Sequence, residues 1–226
     1  FELGNIKQKL QLPDSQLKMI YNGYNEWFRP IENDKQQYRK YIADAGYFFF
    51  LGNTDPKKNT ERTLVAYAKY LELSEVKRPL LMADLDQEYL NGIIERNGIE
   101  AIRDHIVIPG YIINSDLPYI YNNAFAFLYT SLRESFGIPL LEAMACGTPV
   151  ITSNKSSMPE IAGHDAILIN PESSDEIALK MLQLERDTDF YQRQKAVGLE
   201  RAKLFSWRKT TENLLRLYEE VYKEIK

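Results

Sequence analysis

The chain has 226 residues, of which 44% are apolar and 27% charged, near the globular average and enough for one domain with a sizeable core. Its net charge of −4 argues against the broad basic face of a nucleic-acid binder, yet leaves room for a phosphate site built from a few local groups. The single cysteine, Cys146, rules out an internal disulfide and lies in an apolar Ala-Met-Ala-Cys run, where it should pack as a small hydrophobe. No run approaches ~18 apolar residues, so no membrane-spanning helix is expected, and no signal peptide is visible.

Short apolar runs alternate with helical patterns, which predicts an α/β domain with a parallel sheet covered by helices. Residues 47–51 read as a buried strand ended by Gly52. Residues 58–73 carry helical spacing, with Leu64, Val65, Tyr67, Ala68 and Leu71 apolar. A second strand follows at 79–83, then a helix at 87–97 closed by Gly98, a common residue after a helix end. Residues 106–108 give a third strand and 116–122 a short helix. The run 124–129 is wholly apolar, as in strands buried on both faces. A helix at 138–145, a strand at 150–152, a turn at 159–162 and a strand at 167–169 continue the series. Beyond Pro171 the chain reads as helical. The last helix, 207–225, is amphipathic through Leu214, Leu215, Leu217, Tyr218, Val221 and Tyr222. Most of it is expected to pack on this domain.

In such sheets ligands bind outside the C-terminal strand ends. The loops 52–58, 109–111 and 131–137 all follow strands, so they are expected to share one edge. The segment 134–153 is the most informative part of the chain. It has glutamates at 134 and 142 on either side of a Phe-Gly turn that opens a helix. Gly137 permits close backbone approach, and Pro139 suits a first helical turn. The first N–H groups of that helix lack internal partners, and the helix dipole adds positive character, so an anion fits there. Carboxylates can each take two hydroxyls. A nucleotide sugar matches this layout, with a diphosphate in the middle and hydroxylated rings at both ends. On spacing alone, an ordinary amphipathic helix with two solvated glutamates fits equally well.

The same segment resembles the donor-binding signature of retaining family 4 glycosyltransferases, whose GT-B fold pairs two Rossmann-like domains. Further motifs follow in the family's order. Residues 19–25 with Phe28 and Pro30 resemble the inter-domain linker. Phe50-Leu51-Gly52 with Pro56-Lys57-Lys58-Asn59 resembles the first strand and its phosphate loop. Residues 107–111 and 117–121 resemble the strand and helix beside the base pocket, and 157–163 with Phe205-Ser206-Trp207 complete the set.

The resemblance implies a Rossmann-like half of a GT-B fold with a helical C-terminus. Residues 1–30 would be the tail of an N-terminal domain and the linker, 31–205 the nucleotide-sugar domain, and 206–226 a helix crossing back. Because the first recognisable motif is the linker, the acceptor-binding domain is expected to be missing and this chain to transfer little on its own. The implied activity is that of a hexosyltransferase using a nucleoside-diphosphate sugar. The Pro-Lys-Lys-Asn loop leans weakly toward GDP-mannose, with a UDP sugar otherwise. A saccharide or lipid-linked acceptor would be taken through the missing domain, in polysaccharide biosynthesis. No cofactor or metal is implied. A cytoplasmic location follows, and association of the full-length protein with the membrane's cytoplasmic face stays open.

Carried over by position, Glu134 meets the donor sugar and Lys58 stabilises the leaving diphosphate. Phe136, Gly137 and Ile138 offer backbone N–H groups, and Glu142 holds the ribose hydroxyls. Pro109, Gly110 and Tyr111 line the base pocket. Gly52 and Asn53 border the phosphate loop. Many relatives carry arginine at the position of Asn53, and Lys57 is the local candidate to compensate. Ser131 and Arg133 are candidates for the edge of the site. Two signals are set against this picture. Asp84-Leu85-Asp86 reads as an Asp-x-Asp metal clamp, but its surroundings match GT-B. His105 and His164 lack zinc-site spacing. The alternatives are a non-catalytic nucleotide-sugar-binding module and a GT-B nucleotide-sugar epimerase.

Overall fold

A computed structural model describes residues 2–32 and 36–225, and the side chains of Glu2 and Ile225 are not described. Its centre is a parallel sheet of β1 (Tyr47–Phe50), β2 (Leu80–Met82), β3 (Ile106–Val107), β4 (Ala124–Tyr129), β5 (Val150–Ser153) and β6 (Ile167–Ile169). The spatial order is β3-β2-β1-β4-β5-β6. Phe48 lies opposite both Leu80 and Ala126, and Leu128 opposite Ile151. The chain order reverses between β1 and β4, where doubly wound sheets open a crevice.

Strand periodicity of two splits the phenylalanine run between the faces. Tyr47 and Phe49 join Phe127, Leu140, Leu141 and Met144 on one side, under α4 (Leu117–Asn123), α5 (Ile138–Ala145) and α8 (Thr188–Ala202). Phe48 and Phe50 join Leu64, Tyr67, Tyr70 and Met181 on the other, under α2 (Thr60–Leu73), α3 (Gln87–Asn97) and α7 (Ser174–Arg186). Cys146 is buried in the first core, as its apolar neighbours require. No helix of the described residues is long and apolar enough to cross a membrane.

Four features differ from the sequence reading. Residues Glu2–Leu10 form a helix, α1, in a segment for which no element was expected. The turn at 159–162 is a short helix, α6 (Met158–Ala162). Lys58 does not open α2. It ends a 3-10 turn, Pro56–Lys58, and Asn59 with φ +61° separates it from the helix. The last helix, α9 (Trp207–Ile225), stands off the domain rather than packing on it for most of its length. Leu215, Tyr218 and Val221 on its apolar stripe are 55%, 61% and 43% exposed. The apolar stripe is therefore uncovered for nearly all of its described length. The start of α9 is tied down where the Thr210 hydroxyl donates to the Tyr21 carbonyl (2.7 Å), and farther along Glu220 lies 3.8 Å from Lys18 Nζ.

Candidate donor site

Among the described residues, the loops at the C-terminal strand ends carry two candidate features. The first is an ion pair. Lys58 Nζ lies 2.7 Å from Glu134 Oε1, with the side chains only 20% and 14% exposed. Ser131 donates to the same oxygen (2.9 Å), and the ammonium sits 5.6 Å from the centre of the Tyr129 ring. Lys58 and Glu134 are 76 residues apart in the chain. They meet because β1 and β4 are neighbours and the loops after them run side by side. The Leu132 N–H donates to the Lys57 carbonyl (2.7 Å) and stitches those loops together.

Glu134 is held from behind. Ser156 Oγ donates to the Glu134 carbonyl (2.7 Å) and accepts from its N–H (3.2 Å). Ser157 Oγ bridges the carbonyls of Glu134 (2.9 Å) and Phe136 (3.0 Å). Ser156 has φ +59°, a costly backbone state for a serine. Just beyond, Gly137 turns the chain at φ +106°, which only glycine adopts readily, and α5 begins. The N–H groups of Phe136, Gly137 and Ile138 find no acceptor among the described residues. These donors and the positive end of the α5 dipole lie in the turn just after Glu134, the partner of Lys58.

The second feature is a cleft of about 370 Å³ lined by Trp27, Leu51, Asp84, Tyr111, Pro139 and Glu142, among others. Glu142 lies one turn into α5, and Tyr121 donates to its Oε2 (3.4 Å). Burial pushes its carboxyl up to about 7, against the weak opposing effect of the Tyr121 hydroxyl. Between pH ~4.5 and 7 the folded chain thus holds a proton that the unfolded chain has released, so stability falls as pH rises. Glu142→Gln removes this penalty. Thermal melts should show it gaining up to about 3 kcal/mol over wild type at pH 8 and nothing at pH 4. Equal gains at both pH values would contradict the buried carboxyl.

Several of the expected site residues also make contacts within the protein. Phe136 turns its ring toward Tyr21 and Phe205, leaving only its backbone for a ligand. Asn53 accepts from the Asp55 N–H (2.9 Å), while its carbonyl takes the Thr60 hydroxyl (2.7 Å). Lys57 pairs with Asp55 (2.9 Å) and is half exposed, so its ammonium is held by a carboxylate of its own turn. Gly52 is buried, and a Cβ there would lie 1.9 Å from Phe50 Cε1. Tyr111 lines the cleft, whereas Gly110 acts through its carbonyl, which accepts from the Asp84 N–H (3.0 Å). Pro109 is half-buried beside it.

Asn59 was missed by sequence reasoning. Buried at 4% exposure, it donates to the Thr130 carbonyl (3.1 Å) and the Pro171 carbonyl (2.7 Å) and so ties the loop after β1 to the ends of β4 and β6. Ser156 was missed too: Asn59 stood inside the Pro-Lys-Lys-Asn motif, whereas Ser156 lies one residue before the 157–163 motif and carried no signal of its own. The Asp-x-Asp pair is divided. Asp86 caps α3 by accepting from the Tyr89 N–H (2.7 Å), while Asp84 faces the cleft. Asp86→Ala should cost about 1 kcal/mol in urea unfolding and leave nucleotide affinity unchanged. Lost affinity would restore the clamp reading.

A family model described as "Glycosyl transferases group 1" matches residues 31–201. The chain belongs to this family. Among its relatives, the O-antigen chain mannosyltransferase B of Escherichia coli is 34% identical over 180 residues, covering 78% of this chain and 46% of that protein. Mannosylfructose-phosphate synthase of Agrobacterium fabrum is 31% identical over 230 residues, covering 96% and 51%. This glycosyltransferase chain thus spans about half the length of those relatives. Its fold matches sucrose-phosphate synthase from Thermosynechococcus elongatus with a TM-score of 0.81 at 22% identity, over 98% of this chain and 56% of that one. Anabaena HepE in complex with UDP and glucose gives 0.81 at 18% identity, over 94% and 59%. The sheet and helices described above are therefore a Rossmann-like half of the GT-B fold, as the sequence led one to expect.

Proposed function

We propose that this chain is the donor-binding half of a retaining hexosyltransferase that uses GDP-mannose and passes mannose to a saccharide or lipid-linked acceptor. The observation that carries the reading is the Lys58–Glu134 pair (2.7 Å) beside the unpaired N–H groups of 136–138. One cation, three amide donors and a helix dipole offer an anion site that needs no metal ion. Glu134 stands where the sugar attached to that anion would lie. Glu142, one turn deeper in the cleft, suits the ribose hydroxyls. The lean toward mannose is supported by relatives named as mannosyltransferases.

The leaving diphosphate gathers negative charge as the glycosidic bond breaks, and Lys58 with the α5 amides stabilises it. Retention follows if the acceptor hydroxyl attacks from the face the diphosphate leaves, with the departing phosphate taking its proton. The acceptor would be positioned by a second domain, which would also cover the exposed stripe of α9. We place the whole protein in the cytoplasm.

Calorimetric titration with GDP, UDP and ADP, in EDTA and in Mg²⁺, tests the donor site. GDP should bind best and equally well in both buffers, and Glu142→Ala should weaken it. Failure of all three nucleotides to bind the folded chain would reject the reading.

A further inference from the structure

The cleft holds a second acidic group that the donor reading leaves unused. Asp84 follows β2, lines the cleft, and its carboxyl has no partner among the described residues. Its backbone is held at φ +54°, and its N–H donates to the Gly110 carbonyl (3.0 Å), which locks the loops after β2 and β3 together. Aspartate tolerates that backbone state better than most residues, yet it still costs energy. The position is therefore over-determined, which is how side chains at ligand sites are commonly held.

The sheet order sets Asp84 apart from Glu142. β2 lies two strands from β4, the strand that precedes α5 and Glu142, and two strand spacings come to roughly 10 Å. A nucleoside whose ribose meets Glu142 would extend its base toward β2. Two aromatic side chains flank that path, Trp27 from the linker and Tyr111 from the β3 loop, exposed by 58% and 66%. Exposed aromatics in a cleft suit the faces of a base, which leaves its edge for the polar group at the far end.

Resting on the donor reading above, we infer that Asp84 selects guanine by accepting hydrogen bonds from the Watson–Crick edge of the base. The two carboxylate oxygens are acceptors only. Guanine presents two adjacent donors, N1–H and the N2 amino group, which a carboxylate can take side by side. Uracil presents one donor between two carbonyls, so a carboxylate there meets at least one oxygen. Adenine presents a donor beside a ring-nitrogen acceptor, again a mismatch. Selection thus comes from a repulsive element as well as an attractive one.

Calorimetry on the wild-type chain and Asp84→Asn, with GDP, IDP and UDP, decides the matter. IDP carries hypoxanthine, which lacks only the 2-amino group. Wild type should bind GDP about tenfold or more tighter than IDP and UDP, the range for hydrogen bonds to a charged group. Asparagine keeps the left-handed backbone but offers one acceptor and one donor group. In Asp84→Asn the GDP affinity should drop about tenfold, and the gap between GDP and IDP should close. UDP should bind at least as well as before. Equal weakening of all three would show a ribose or folding role and overturn the inference, as would wild type preferring UDP. Either result leaves the donor site intact. A wild-type preference for UDP would reject the guanine and GDP-mannose readings together, loss of all nucleotide binding would reject the donor site itself, and uniform weakening in Asp84→Asn would reject the inference alone, so the failures are distinguishable.

Discussion

Lys58→Ala should weaken binding of a nucleoside diphosphate by at least about tenfold, while Glu134→Gln should strengthen it several-fold. The opposite signs follow from the ion pair. Without a ligand, Lys58 is neutralised by Glu134 at 2.7 Å in a site where both side chains are largely shielded. An incoming diphosphate must share that ammonium with a carboxylate. Two unit charges about 4 Å apart interact by ~4 kcal/mol at an effective dielectric of ~20, so the competition is not small. Glutamine in place of Glu134 releases Lys58 and removes the repulsion. Alanine in place of Lys58 leaves Glu134 facing the anion with the Ser131 hydroxyl, but no cation, to hold it. The same change should lower stability by about 1–3 kcal/mol, less than for a fully buried pair because water still reaches this one. Calorimetry with GDP on both variants gives the signs. Two variants that bind like wild type would make the pair a structural bridge between β1 and β4.

Gly52→Ala should destabilise the chain by about 2–3 kcal/mol, at the upper end of what overpacking costs. The added methyl would fall 1.9 Å from Phe50 Cε1 and 2.6 Å from Cζ, and that ring is wedged into the core at 2% exposure. It cannot swing aside without disturbing Leu64, Tyr67 and Met82 in the same core. Urea unfolding measures the loss. The fraction that remains folded should bind nucleotide with near wild-type affinity, since the methyl meets a side chain of the protein's own strand. Full stability with lost binding would return Gly52 to the ligand, where the sequence had put it.

That glycine illustrates what could be read in advance and what could not. The strands at 124–129 and 167–169 and the helices at 87–97 and 138–145 were legible to the residue, because apolar runs and their punctuation act locally. The resemblance identified Lys58, Glu134 and Glu142, and the fold sets them along one edge. Their couplings were not legible. The Lys58–Glu134 contact, the Ser156 and Ser157 brace and the Asn59 tie to Pro171 span 76, 22, 23 and 112 residues. No periodicity reaches that far. The amphipathic stripe of α9 was evident, but a stripe says only that something covers it. Packing on this domain was the simpler expectation, and the exposed Leu215 and Tyr218 contradict it.

The division of the site between strands has a consequence for how the protein could diverge. The charged apparatus comes from the loops after β1 and β4, whereas the cleft wall around Asp84 and Tyr111 comes from those after β2 and β3. These two sets share backbone scaffolding but few side chains. If the proposed roles hold, substitutions at the β2 and β3 loops would retune which nucleotide enters, one residue at a time, without passing through a form that has lost its grip on the diphosphate. On the proposed reading, such a lineage can change its sugar-nucleotide supply while keeping its chemistry, and a library confined to the exposed Asp84, Tyr111, Ile113 and Asn114 would explore that freedom at less risk to the fold than one that includes the buried Ala83, Leu85 and Ile112.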